Sequence, residues 1–503
     1  MGITGASTVC AATIVGVDAV PVSVEVVVSS GMPGISIVGM PDAAIQEARE
    51  RVRAAIKASG FSMPGEKVVV NLSPSYLKKT GSGFDLPIAA GLLAATRQVD
   101  PSLVEGSLLV GELGLDGCVR PVQGLLAYQH CAAENGLDLM CASVSGMPAS
   151  FMGSGVKTAD SLSVLRNAAF GRPPKQARPD TLHFADYAEV GGNELAKRAI
   201  AIAVAGRHGL LMMGPPGSGK TMLASRLTSV LPPLSDQEAI EVAKIHSIAG
   251  EPIEACMQGV RPFRSPHHSA TLAGLCGGGK PVRPGEVTLA HNGVLFLDEL
   301  AEFSAHVLQA IRQPLEDGSI CITRAEGSVR MPARFMLVAA SNPCPCGYFG
   351  DPVKECTCSF SQVSAYQNKI GGPLIDRIDI CLDVWRSSIA EVMEGGQGTS
   401  SADMRAQVME ARAFAASRAA KDAGTGGAKP GIAQLLESCH MNSQTRSFFE
   451  GMVDSSVLSG RGVTRTLGLA RTIADMEQAY RVGKKHVAEA LTLRLRSGIG
   501  GSS

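Results

Sequence analysis

The stretch GLLMMGPPGSGKTMLASRL, residues 209–227, sets a short apolar run against a loop of three glycines and two prolines, followed by a helix-forming segment. A buried strand that passes through glycines into a helix is one unit of a parallel sheet covered on both faces. The loop itself is Gly214, Pro215, Pro216, Gly217, Ser218, Gly219, Lys220 and Thr221. Its glycines let backbone N–H groups wrap phosphates, and the helix N-terminus adds positive potential. Lys220 is placed to bridge the terminal phosphates and the Thr221 hydroxyl to ligate Mg²⁺. All eight positions fit ATP with Mg²⁺.

Downstream, GVLFLDEL (293–300) ends an apolar run in Asp298 and Glu299, where one carboxylate reaches the metal shell and its neighbour polarises water. RFMLVAASN (334–342) supplies another strand, ending in Asn342, whose amide orients the attacking water. Residues 186–395 therefore read as a nucleotide-binding α/β domain with a parallel sheet. Residues 1–170 read as a separate α/β domain, with strands in VSVEVVVSSG, EKVVVNLSP and SLLVGELGLDG. A helix over 42–60 is capped by Asp42 and stopped by Gly60. Three prolines in GRPPKQARPD place a linker at 171–185. Flexible interruptions at 394–403 and 424–431 precede a helical tail, so 396–503 reads as a linker followed by helices.

The 503-residue chain is long enough for two to four cores. Its 46 basic residues balance its 46 acidic ones, so any contact with a polyanion must come from a local patch. No apolar stretch approaches the roughly 18 residues a spanning helix needs, and the start lacks a basic leader; no membrane contact and a cytoplasmic location are expected.

Two local features stand out. Residues 255–285 carry no acidic residue but hold Arg261, Arg264, Lys280 and Arg283, with His267 and His268, among glycines and prolines. Such a loop approaches a phosphate backbone or is simply solvated; the residues leave both open. Nine of the thirteen cysteines are scattered, but Cys344, Cys346, Cys356 and Cys358 form two pairs separated by nine residues. In a reducing compartment these read as a structural Zn²⁺ site or as a packed thiol cluster.

The order of these motifs, followed by LIDRID and a helical tail, resembles AAA+ ATPases of the magnesium-chelatase-like branch. RPFRSPHH, PGEVTLAHNGVLFLDEL and NPCPCGYFGD look like the ComM (YifB) competence family within it. The resemblance implies a homo-hexameric ring with ATP at subunit boundaries. Arg377 then matches a finger reaching a neighbour's γ-phosphate, Arg471 a second sensor acting in its own subunit from a C-terminal helical lid, and Val190 lies beside the adenine. It also implies that the basic segment projects into the ring's channel. SICITRAEGSVRMPAR then makes a second pore hairpin, turning at Ala325-Glu326-Gly327 with Arg324 near its tip.

GELGLDGCVRPVQGL resembles the Lon protease domain, with Asp85 in place of the nucleophilic serine and Tyr128 in place of the catalytic lysine. Neither substitute supports a Ser–Lys dyad, which implies a scaffold rather than a peptidase. The family's implied activity is helicase and branch migration on single-stranded or branched DNA during natural transformation, with recombination proteins as partners. The rival readings are a metal-insertion chaperone of the magnesium-chelatase type and a protein-remodelling ring that uses the N-terminal domain as an adaptor.

Overall fold

A computed structural model describes residues 2–144, 155–171, 184–324, 327–370, 372–388, 398–422, 432–455 and 458–494. Most of the linker expected at 171–185 and the interruption at 424–431 lie outside these residues, as do Ala325 and Glu326.

The N-terminal region begins with a long hairpin, β1 (Ile3–Val15) and β2 (Asp18–Ser29), paired antiparallel from Ile3↔Ser29 to Val15↔Asp18. Strands β3 (Gly34–Val38), β4 (Lys67–Ser73), β5 (Ser107–Leu109), β6 (Asp138–Cys141) and β7 (Val156–Thr158) complete a seven-stranded sheet of order β3-β4-β2-β1-β5-β6-β7. Alternation in β2 buries Val22, Val24, Val26 and Val28 on one face. That face is covered by α1 (Ala43–Ala58), capped by Asp42 as expected, and by α2 (Asp85–Ala95). Every residue of α2 is buried, and all but Asp85 at its start are apolar. Helix α3 (Leu125–Glu134) lies on the other face.

The central region opens with α4 (Glu194–Gly206), β8 (Leu210–Met213), α5 (Lys220–Ser225) and α6 (Asp236–Ala249). It continues with β9 (Phe263–Arg264), the short ribbon β10 (Gly277–Gly278) and β11 (Arg283–Pro284), then β12 (Val294–Leu297). After α7 (Ala305–Asp317) comes a hairpin, β13 (Ser319–Arg324) and β14 (Gly327–Pro332), followed by β15 (Met336–Ser341), α8 (Phe360–Ile370) and β16 (Ile380–Asp383). The main sheet has the order β9-β12-β15-β8-β16 and is parallel throughout. Alternate residues face opposite cores. Leu210 and Met212 pack with α4 and the C-terminal helices, whereas Leu211 and Met213 pack with α7 and α8.

Those C-terminal helices are α9 (Ser401–Lys421), α10 (Ile432–Ser438), α11 (Ser443–Ser455), α12 (Gly460–Met476) and α13 (Lys484–Arg494). The expected flexible stretch at 394–403 is corrected at its end, because Ser400 and Asp403 form a reciprocal capping box that starts the 21-residue α9. Read as a Gly/Ser-rich linker, that segment hid an N-cap.

The N-terminal region docks on the central one through its first hairpin and the start of α3, whose Leu125, Leu126 and Tyr128 share an apolar cluster with Ala243 and Ile253. Lys244 of α6 pairs with Asp18, Gly124 N–H donates to Ser247 O (2.9 Å), and Val17 joins a small apolar cluster with Cys276, Ile320, Ile322 and Met331. That cluster ties the β10–β11 ribbon to the β13–β14 hairpin.

Candidate nucleotide site and its surroundings

Register brings the expected chemistry to one edge of the parallel sheet. Met213 pairs with Ser341, and Leu297 with Ala339, so the loops leaving β8, β12 and β15 emerge side by side at the strands' carboxyl ends, the ligand-binding edge of an open α/β sheet. Gly217 and Gly219 hold φ of +77° and +89°, a region that favours glycine, which closes the 214–219 loop before α5. Lys220 is buried beneath the loop and donates to Gly214 O (2.8 Å), Pro215 O (3.0 Å), Ser218 Oγ (3.4 Å) and Asn342 Oδ1 (3.5 Å). These partners are all neutral. Burial pushes the ammonium down from its ordinary value, opposed by the charge of Asp298. A cation held over carbonyls in a glycine cradle fits an anionic ligand.

Thr221 Oγ1 donates to Asp298 Oδ2 (2.8 Å), which places a hydroxyl and a carboxylate where both can face one Mg²⁺. Glu299 has φ +51°, a strained value for a non-glycine residue. Its Oε2 lies 3.2 Å from Nδ1 of His268, one of the two histidines in the basic segment. His267 does not share the contact and bonds Ser269 Oγ instead. Val190 is buried, and its segment is tied down where Ser387 Oγ donates to Gly191 O (2.9 Å) and Asn193 Nδ2 to Ser387 Oγ (2.8 Å).

Arg377 lies apart from this cradle, at the turn before β16, and pairs with Glu316 at the end of α7 (2.8 Å). Arg461 bonds the same Glu316 oxygen (3.1 Å), so two arginines converge on one carboxylate. Sequence reasoning missed Arg461. A signal was available, since a cation in the first turn of a helix opposes the macrodipole and calls for another reason to be there. The second-sensor assignment of Arg471 is not matched by its surroundings. It is buried, pairs with Asp475 (3.0 Å), and donates to the carbonyls of Ala479 and Tyr480, closing the end of α12.

The basic residues divide into two groups. Arg261 is buried against Glu238 (2.8 Å) and donates to Pro232 O (2.7 Å) and Asn292 O (2.6 Å). Arg264 is forked between Glu251 and Glu286. Both are committed to the fold and are withdrawn as DNA contacts; their acidic partners lie outside the acid-free window that suggested them. Lys280, Arg283 and Arg324 are exposed on the ribbon and hairpin, together with Arg330. Arg324 reaches Gly278, where an added Cβ would meet its Nη2 at 3.0 Å.

The four clustered cysteines lie in the loop between β15 and α8, with all four sulfurs within 4.8 Å of one another, an arrangement compatible with Zn²⁺.

In the N-terminal region Asp85 is fully buried. Arg51 donates to both of its oxygens (2.7 and 3.0 Å), and Leu113 N–H donates to one of them (3.1 Å). Tyr128 is buried in an apolar cluster that pushes its phenol up. Ser82 donates to Glu112, and Lys79, fully buried, donates to the carbonyls of Gly39 and Pro74. Lys157 donates to Ser107 Oγ (3.5 Å) but is also paired with Asp138 (3.0 Å), and neither Asp85 nor Tyr128 takes part in that contact.

Comparison with known proteins matches three family models to consecutive parts of the chain. The family described as "Magnesium chelatase, subunit ChlI" matches residues 186–392, "Subunit ChlI of Mg-chelatase" residues 24–144, and "Magnesium chelatase, subunit ChlI C-terminal" residues 398–494. The competence protein ComM of Haemophilus influenzae is 39% identical over 492 residues, with 95% of each chain covered. YifB of Salmonella typhimurium, an uncharacterized protein, is 39% identical over 486 residues with the same coverage. The magnesium-chelatase 38 kDa subunit of Cereibacter sphaeroides is 25% identical over 177 residues, which is 31% of this chain and 52% of that one. No helix among the described residues is long and apolar enough to cross a membrane.

Proposed function

This chain belongs to the magnesium-chelatase-like AAA+ family, with the ComM and YifB proteins, and we propose that it hydrolyses ATP in a hexameric ring of identical copies to move DNA. The observation that carries the ATPase reading is the convergence of Lys220, Thr221, Asp298 and Asn342 at one sheet edge. When bound, Mg²⁺-ATP supplies the phosphoanhydride whose cleavage drives the cycle. Thr221 and Asp298 would hold the metal ion, and Lys220, now on carbonyls, would face the phosphate oxygens. Glu299 takes the proton of the attacking water, and Asn342 orients that water. Arg377 of one copy stabilises the charge that develops in its neighbour's pocket, with Arg461 beside it.

The DNA reading rests on the exposed cations Lys280, Arg283, Arg324 and Arg330, carried by two ribbons that share one apolar cluster. The N-terminal domain, read as Lon-like, acts as a scaffold through its docked first hairpin, and helices α9 to α13 act as the lid. Branch migration during transformation and homologous recombination is the role this proposal assigns, in company with recombination proteins.

The test is ATP turnover with and without single-stranded or branched DNA at two salt concentrations. Stimulation that falls with salt is expected, and R283A or R324A should each lower the log–log salt slope of binding by about 0.7–0.9. Turnover indifferent to DNA at low salt would favour a metal-insertion chaperone or a protein-remodelling ring.

A further inference from the structure

The segment between Asn342 and the start of α8 at Phe360 contains no helix or strand, yet it lies against the nucleotide pocket. A stretch this irregular needs something other than a ladder of backbone bonds to hold its shape. Its four thiols supply the means. Sγ of Cys344 lies 3.3 Å from that of Cys346 and 3.7 Å from that of Cys356, and Cys346 and Cys356 are 3.5 Å apart. These separations are far beyond the ~2.05 Å of a disulfide. They approach the ~3.8 Å edge of a tetrahedron built on Zn–S bonds of ~2.3 Å. Backbone amides also face the sulfurs: Phe349 N–H donates to Cys344 Sγ (3.3 Å), and Cys346 N–H donates to Cys358 Sγ (3.4 Å). Such N–H···S bonds stabilise thiolate ligands.

The same loop touches the phosphate cradle directly. A Cβ added at Gly347 would stand 2.6 Å from Pro216 Cδ, so the turn between the cysteine pairs rests on the glycine-rich loop itself. Arg386 completes a bridge. Its Nε donates to Pro216 O (3.2 Å), its guanidinium lies 5.6 Å from the Tyr348 ring centroid, and one of its nitrogens is 3.9 Å from Asp351. Lys354 covers the Tyr348 ring at 4.0 Å, and Gln367 of α8 donates to Pro343 O (3.0 Å). Asn342, two residues before the first ligand, reaches Lys220.

We infer that Cys344, Cys346, Cys356 and Cys358 bind one structural Zn²⁺ and that this metal knot is the wall that holds Pro216 and Asn342 in place, so that ATP affinity depends on zinc. The inference deepens the ATPase reading and rests on it for the nucleotide, but not for the metal. All four coordination positions are filled by thiolates, which leaves none for water; the ion is structural and takes no part in hydrolysis.

The test uses the full chain, purified under reducing conditions without added zinc. Metal content is measured by mass spectrometry. Binding of a fluorescent ATP analogue is measured on the protein as isolated, after an organomercurial and a chelator have stripped the metal, and after thiol recovery with Zn²⁺ or with Mg²⁺ alone. About one zinc per chain is expected, with nucleotide affinity falling about tenfold on stripping and returning with Zn²⁺ but not with Mg²⁺. If C356S/C358S fails to fold, Y348A separates the two halves of the claim: it should keep the zinc and still weaken nucleotide binding, because it removes the ring between the knot and Arg386. Folded protein with well under one zinc per chain overturns the site. Full zinc content with nucleotide affinity unmoved by stripping and by Y348A overturns the coupling. Zinc-loaded protein that binds no nucleotide overturns the pocket reading and the coupling with it, while the metal count stands by itself.

Discussion

Glu299 and His268 show how much a single contact adds to a motif. An apolar run ending in Asp-Glu suggests a carboxylate to polarise water, but the motif says nothing of how that carboxylate is held. Here it is held in a strained backbone conformation, 3.2 Å from an imidazole that belongs to the insert carrying the exposed cations Lys280 and Arg283. If Glu299 is the base, E299Q should bind ATP normally and lose turnover by at least about 100-fold. H268A should act in the opposite sense. It releases the carboxylate from the basic segment, so DNA-free turnover should rise by up to about fivefold, the amount a hydrogen-bonded contact of about 1 kcal/mol can hold back. The ratio of DNA-stimulated to basal turnover should shrink correspondingly. A steady-state assay of both rates decides it; unchanged basal turnover in H268A would mean that the imidazole only fills space. The signal in the sequence was the pair His267-His268 itself, and nothing in the spacing tells which ring turns toward a carboxylate some thirty residues later.

At the level of elements, the parallel sheet and the loops that gather at its carboxyl edge were legible because glycine loops, apolar runs and terminal carboxylates each follow from local chemistry. Partnership between distant residues was not. Arg261 reads as a free cation in an acid-free window, yet α6 carries Glu238 back to meet it. Likewise β1 was unreadable as a strand, because Ile3–Val15 mixes small polar and apolar residues that become intelligible only beside β2. The Arg261–Glu238 pair makes a prediction that a DNA contact would not. Burial raises the Glu238 carboxyl, but hydrogen bonds from Arg261, the Ser235 N–H and Arg207 outweigh it and hold the group at about 2, against an ordinary 4.5. A depressed carboxylate stabilises the fold fully above its unfolded value, and the contribution is lost as pH falls from about 4.5 to about 2. E238Q should therefore be less stable at neutral pH and show a flatter loss of stability across that acid window, read by denaturant unfolding at stepped pH. R261A should cost about 1–3 kcal/mol, because it removes one of the donors to Glu238 and leaves the carbonyls of Pro232, Pro233 and Asn292 without their side-chain donor. Its DNA-binding salt slope should match that of the parent protein, in contrast to R283A.

For the whole molecule, the division between the cradle and the arginine pair is the decisive geometry. Lys220, Thr221, Asp298 and Asn342 meet at the carboxyl ends of β8, β12 and β15, whereas Arg377 and Arg461 meet over Glu316 at the far end of α7. If Lys220 binds phosphate and the arginines stabilise charge, as proposed, their separation requires the arginines to be lent to another copy through a heterologous contact that closes into a ring. This gives a complementation test. K220A retains the arginines and lacks the lysine, R377A the reverse, and each alone should turn over ATP at least about 100-fold more slowly than the parent. Mixed in equal amounts and allowed to exchange subunits, they should recover activity, because about a quarter of the interfaces then join an intact lysine to an intact arginine. Recovery should depend on protein concentration and vanish under conditions where sedimentation shows only monomers. A mixture no more active than the sum of its parts, in rings shown to have exchanged subunits, would place Arg377 outside its neighbour's chemistry. The two arginines would then be structural partners of Glu316.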